Sequence, residues 1–147
     1  MKKQSFLMTG FLVLSSTAAT QVARAQEPLA VNIPFAFVAG NATLPAGEYR
    51  VQKWDGNSTV LLIQCSDPRE SATVLTNAAE AKELQSESKL VFNRYGKRYF
   101  LSQVWTAGSI RGRQLLKSPR EKEMAQVARI ETKGEITLVA RVSPVKP

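Results

Sequence analysis

The sequence predicts an all-β protein: a small antiparallel β-sandwich or barrel of about seven strands, with one short helix near the C-terminus. Three observations carry this expectation. Apolar residues recur at every second position along short runs, first at Val31, Ile33, Phe35 and Phe37, which puts them on one face of a pleated strand. The runs are separated by tight-turn chemistry at Asp55-Gly56-Asn57, Ser66-Asp67-Pro68-Arg69 and Tyr95-Gly96-Lys97. Only Ser118-Pro119-Arg120-Glu121 reads as a strong helix start. There Ser caps free amides, Pro suits the first helical position, and Glu three residues after the Ser completes a capping box.

Taken in order, residues 31–38 form the first run, and Pro34 inside it lacks a ladder donor, so an edge strand or a bulge is expected. Leu44-Pro45-Ala46-Gly47-Glu48-Tyr49 is a turn that leads into a strand over 48–54. The Asp55-Gly56 turn joins it to 59–65, where Leu61, Ile63 and Cys65 share a face, and the next turn leads into 70–76. Residues 77–88 are polar and Ala-rich without a wide apolar stripe, and are expected to be a solvated connection. A second hairpin pairs 89–94 with 98–106 and carries Phe92, Tyr95, Tyr99, Phe100 and Trp105; Gly108 and Gly112 interrupt the pattern after it. The helix should run from 119 to 128 or 129 with Met124, Val127 and Ala128 as its apolar face. A final strand over 135–142 buries Ile136, Leu138, Ala140 and Val142.

Residues 1–25 read as a secretory signal peptide, with Lys2 and Lys3 ahead of an apolar stretch and Ala23-Arg24-Ala25 as the small-x-small cleavage pattern. Cleavage between Ala25 and Gln26 would leave residues 26–147 as one β-rich domain, exported to the periplasm or secreted. The apolar run is shorter than the ~20 residues a membrane helix needs, and no later window approaches that length, so no transmembrane span is expected after cleavage. Composition agrees with a globular chain: 44% hydrophobic and 22% charged over 147 residues. The formal charge of +8 drops by three when Lys2, Lys3 and Arg24 leave with the leader.

The chain has no His and one Cys, which excludes His-dependent triads, imidazole metal sites and an internal disulfide. Cys65 lies in phase with Leu61 and Ile63 and reads as a small buried apolar residue, with no imidazole to activate it. Among carboxylates, Asp67 and Glu70 flank a turn and Glu121 is a capping residue, with Glu123 two positions further along the helix. No catalytic, cofactor-binding or metal-binding residue is expected, and the protein is read as non-enzymatic. Hydrolysis by Asp67, Glu70 or Cys65 is the residual enzymatic alternative. Asn41-Ala42-Thr43 and Asn57-Ser58-Thr59 match the glycosylation sequon, but their turn-rich surroundings account for the Asn residues equally well.

Basic residues gather late, at Arg94, Lys97, Arg98, Arg111 and Arg113, interleaved with Tyr95, Tyr99 and Phe100. Such interleaving resembles a stacking platform for nucleic acid, but the export signal argues against nucleic acid as the partner. An anionic envelope component, a lipid headgroup or acidic glycan, fits a basic face better. The first functional expectation is therefore an exported domain that binds such a component through these five cations; the bland alternative is a solvated rim. The second is a small barrel that carries an apolar ligand or lipid, since barrels of about eight strands have room for one. Phe35, Phe37, Phe92, Trp105 and Leu138 are then the candidate lining residues, and a packed interior would count against it.

Three segments carry a family resemblance: Ile33-Pro34-Phe35-x-Phe37, Leu44-Pro45-Ala46-Gly47-Glu48-Tyr49 and Tyr99-Phe100-Leu101-Ser102-x-Val104-Trp105. With them the chain resembles a group of small exported bacterial proteins with no assigned activity. The resemblance implies an all-β domain in a Gram-negative-type envelope and supplies no catalytic residues. The Leu-Pro-Ala-Gly-x-Tyr segment is also similar to a hairpin of transthyretin-like β-sandwich modules, which bears on architecture alone.

Overall fold

The computed structural model describes residues 28–54, 57–67, 69–127 and 133–142. The expected leader with its Ala25–Gln26 cleavage site, the Asp55-Gly56 turn and the end of the helix beyond Val127 lie outside them.

Among the described residues there are ten strands and one helix: β1 (Leu29–Ile33), β2 (Phe37–Ala39), β3 (Ala42–Leu44), β4 (Gly47–Trp54), β5 (Asn57–Cys65), β6 (Ser71–Glu80), β7 (Ser88–Tyr95), β8 (Arg98–Trp105), β9 (Arg111–Leu115), α1 (Pro119–Val127) and β10 (Lys133–Val142). Eight of the strands follow one another in the order β8-β7-β10-β1-β4-β5-β6-β9, and β9 pairs back onto β8. Every neighbouring pair in this ring is antiparallel, so the sheet closes into an eight-stranded barrel rather than a sandwich. Closure removes the exposed edges that an open sheet of this length would present.

Pro34 decides the first departure from the expected strands. The predicted run over 31–38 is two strands: β1 stops at Ile33, one residue before the proline, and β2 starts at Phe37. β1 is also no edge strand, since it lies between β10 and β4. From its end the chain crosses to the far wall, where β2 runs parallel to β8 (Val38 opposite Phe100) and β3 returns beside it. This hairpin takes the first half of the β8 edge, while β9 takes the second half through Gln103, Val104 and Trp105. Gly40 at its tip has φ +60° and faces Val74 of β6 so closely that a Cβ would lie 3.1 Å from that side chain. Only glycine meets both conditions easily.

The second departure is β9, with the matching extension of β6. Thr76 to Glu80 pair with Leu115 to Arg111, so the first part of the expected solvated connection is strand. Gly112 reads as a pattern breaker in the sequence, yet it sits mid-strand because the Trp105 ring lies across it. A Cβ there would meet the indole at 2.5 Å. A strand glycine marking close approach is the physical reason the local pattern looked broken.

Two apolar cores result. The inner one lies inside the barrel and comprises Ile33, Phe37, Tyr49, Ile63, Leu90, Phe92, Leu101 and their neighbours. The outer one is Val38, Tyr95 and Phe100 on the outside of β2, β7 and β8, covered by Met124 and Ala125 of α1. The helix thus buries Glu121 and partly buries Met124 and Ala125; of the expected Met124, Val127 and Ala128 face, Met124 packs on the core, Val127 is 68% exposed and Ala128 lies outside the described residues. On β10, Ile136, Leu138 and Ala140 oppose Phe92, Leu90 and Ser88 on the inner face; Ala140 is buried and the other two half-buried. No helix of the described residues is long and apolar enough to cross a membrane.

Candidate functional site

The two ends of the barrel differ in construction. The lower end holds the β7–β8 turn, the β5–β6 connection and the segment from Pro34 to Ala36. Here the rings pack on one another. Phe35 stacks on Tyr99 at 3.9 Å between centroids, and its edge meets Phe92 at 5.1 Å. Phe37 meets Tyr49 at 5.1 Å and Phe92 at 5.6 Å, both edge-on. The Tyr49 hydroxyl donates to the Pro45 carbonyl, which gives its buried phenol the partner it requires. Arg94 lies 5.9 Å above the Tyr99 ring and caps the stack from outside. This end is stoppered by the protein's own side chains.

The upper end is where β4 ends at Trp54, β6 at Glu80 and β8 at Trp105, and where β9 begins. Two loops form a collar: Ala81 donates to the Ile110 carbonyl, Gln85 to Ser109, and Gly108 to Gln85. Ser88 is buried beneath it and accepts from the Ala107 amide. Trp54 (48% exposed) and Leu84 (68%) present large apolar side chains at this end. The inward layer below is smaller in side chain than the floor: Leu29, Val51, Leu61, Val74, Val104, Leu115 and Ala140. On its rim Lys53, opposite Leu61 on the inner face of β4, and Arg113, opposite Val104 on β9, are both half-buried.

The five cations expected to make one basic face do not come together. Arg94, Lys97 and Arg98 belong to the β7–β8 turn, whereas Arg111 and Arg113 open β9 at the other end. Arg113 is level with Val104, six residues along β8 from Arg98, which is roughly 20 Å of strand. Alternation divides them again. Arg94 is opposite Tyr99 on the inner face, while Arg98 is opposite Tyr95 on the outer one. The candidate lining residues are also redistributed. Phe35, Phe37 and Phe92 are floor, Leu138 is on the inner wall, and Trp105 faces outward over Gly112. The rings of Phe35, Phe37 and Phe92 pack on one another.

Cys65 is opposite Tyr49, partly buried against the inner core, as its phase with Leu61 and Ile63 predicts. Asp67 binds Arg69 at 3.1 Å and accepts its backbone amide, which holds its carboxyl below the ordinary value at the surface. Among the described residues no group of three or more His, Cys, Asp and Glu side chains is placed to hold a metal ion.

Glu121 is the functional surprise of the helix. Ser118 caps as expected, accepting from the Glu121 amide at 3.2 Å. The Glu121 carboxylate does not complete the box, however; it points into the barrel wall and accepts from Asn93 Nδ2 at 3.0 Å and from the Tyr95 hydroxyl at 3.3 Å. All three residues are buried, so this polar clasp fixes α1 on the outer core. Glu121→Ala should cost about 1–3 kcal/mol by leaving Asn93 and Tyr95 unpaired, whereas Glu121→Gln, which keeps an acceptor, should cost less. Chemical denaturation of the two variants measures the difference.

No protein-family model, curated protein or solved structure matches this chain. The site therefore rests on its own geometry.

Proposed function

We propose that the protein is a non-catalytic carrier that holds an apolar ligand or lipid at the upper end of its barrel. One observation carries the reading: a closed eight-stranded barrel, stoppered at one end by rings, has at the other an apolar inward layer beneath a rim where Trp54 and Leu84 are exposed. Barrels of this strand number are just wide enough to fill with side chains or to take one small ligand. The aromatic floor fits the first use, and the smaller upper layer fits the second. The inward residues there, Val104 (6%), Leu115 (6%) and Ala140 (5%), keep slivers of exposure, while Ile33, Ile63 and Phe92 keep none. Exposed apolar side chains beside an apolar layer are what a ligand leaving water would cover. The basic-face reading has less support, because its five cations are divided between two ends and two faces. The carrier is read as exported and processed, in keeping with the leader expected over residues 1–25.

Native mass spectrometry of the protein purified from its host is the test. The expected spectrum shows the polypeptide with a small apolar molecule that solvent extraction removes. A ligand-free spectrum, together with Trp54 emission that does not respond to added long-chain alcohol, would overturn the reading.

A further inference from the structure

We infer that Arg113 is an anion-binding residue inside the barrel mouth, and that the ligand is an anionic amphiphile with a single carboxylate head and an alkyl tail. This rests on the carrier reading above and makes it chemically specific.

Arg113 faces inward between Val104 and Ala78 on the two strands that flank β9, with Leu115 as the next inward residue below it. It is half-buried, and a guanidinium cannot shed its charge there. Its partners are neutral. Nε donates to the Thr76 hydroxyl at 2.9 Å and one Nη to the Thr76 carbonyl at 3.1 Å. The Thr76 hydroxyl donates to the Thr59 carbonyl at 3.0 Å, so its oxygen is set to accept from Arg113. Thr76 is buried and holds the fork in one orientation without neutralising it.

Among the described residues no carboxylate does so either. Among the described residues the ion pair is Arg69–Asp67, in the β5–β6 connection at the lower end. Glu80, the nearest acidic residue on the inner face of β6, is opposite Arg111 one step further out, where charges of opposite sign can offset each other across the strands. Arg113, deeper in, has no acidic partner among the described residues and has donors to spare beyond the two engaged by Thr76. A planar fork with a free edge matches a carboxylate in a bidentate arrangement. Val104 and Leu115 lie on the same inward surface, so an alkyl chain attached to that carboxylate runs onto the apolar layer. Lys53, half-buried on the inner face of β4 at the same end, adds a second positive charge.

Isothermal titration of the full chain with decanoate and with decanol separates the levels of the argument. The expected result is decanoate binding about 10- to 100-fold more tightly than decanol. In Arg113→Gln the ratio of the two affinities should collapse toward unity, and in Arg113→Lys, which keeps charge without the planar fork, it should be intermediate. Binding of neither ligand overturns the carrier reading together with this one. Equal binding of both to the unaltered protein overturns the assignment of an anionic head while leaving the carrier intact. A decanoate preference that survives in Arg113→Gln or is undiminished in Arg113→Lys removes the role from the Arg113 fork. The comparison on the unaltered protein and the Lys variant keep the test decisive should the Gln variant fail to fold.

Discussion

Phe92→Ala is expected to destabilise the protein by about 3–5 kcal/mol, enough to unfold much of a marginally stable domain. Phe92 is fully buried and is the ring on which the lower stopper converges, meeting Phe35 and Phe37 edge-on. Its backbone is flanked by Leu101 on β8 and Ile136 on β10, so the lost volume falls between three strands and cannot be filled by moving one of them. Phe92→Leu, which keeps most of the apolar volume, should lose far less. Urea denaturation followed by circular dichroism measures both. A loss under 1 kcal/mol for the alanine variant would mean that the aromatic floor is not packed as described.

Alkaline pH should weaken the fold through Tyr49. Burial is the main cause that pushes its phenol up to about 12 from 10.0, with the nearby Cys65 and Glu70 adding in the same direction. The sign follows from linkage. The folded state holds the phenolic proton more tightly than the unfolded state, so the stabilisation is fully present below pH 10 and is lost as pH rises through the folded value near 12. A shift of that size corresponds to roughly 3 kcal/mol. Tyr95 is raised for the same leading reason, burial, with Glu121 beside it, and contributes in the same direction. Denaturation midpoints between pH 9 and 12 should therefore fall, and Tyr49→Phe should flatten the fall. A pH-independent midpoint over that range would contradict the burial of both phenols.

Several of these features were legible in the residues. The inward set of β5 and the buried end of β7 follow from alternation, because a strand's period of two is a local property of the chain. The Tyr95-Gly96-Lys97 turn is a two-residue connection with Gly96 at φ +61°, as its composition demands. Ser118 and Pro119 start the helix where they should. Other features left no such trace. β9 reads Arg-Gly-Arg-Gln-Leu, a sequence with charges at its inward positions and glycine under an indole, and nothing local marks it as a strand. Glu121 fits a capping box perfectly well in sequence, and only the nearness of Asn93 and Tyr95, from a strand 26 to 28 residues earlier, diverts it.

By itself the sequence determined that the chain is β-rich, where its main turns fall and which side chains share a face, because each depends on residues a few positions apart. The tertiary structure decided that the sheet closes, that the late cations divide between two ends, and that Arg113 faces inward beside Thr76. Closure and placement depend on the backbone hydrogen-bond ladders between distant segments, β6 with β9 and β9 with β8. Those bonds are made by the main chain, which is nearly the same at every residue, so side-chain identity carries little record of them.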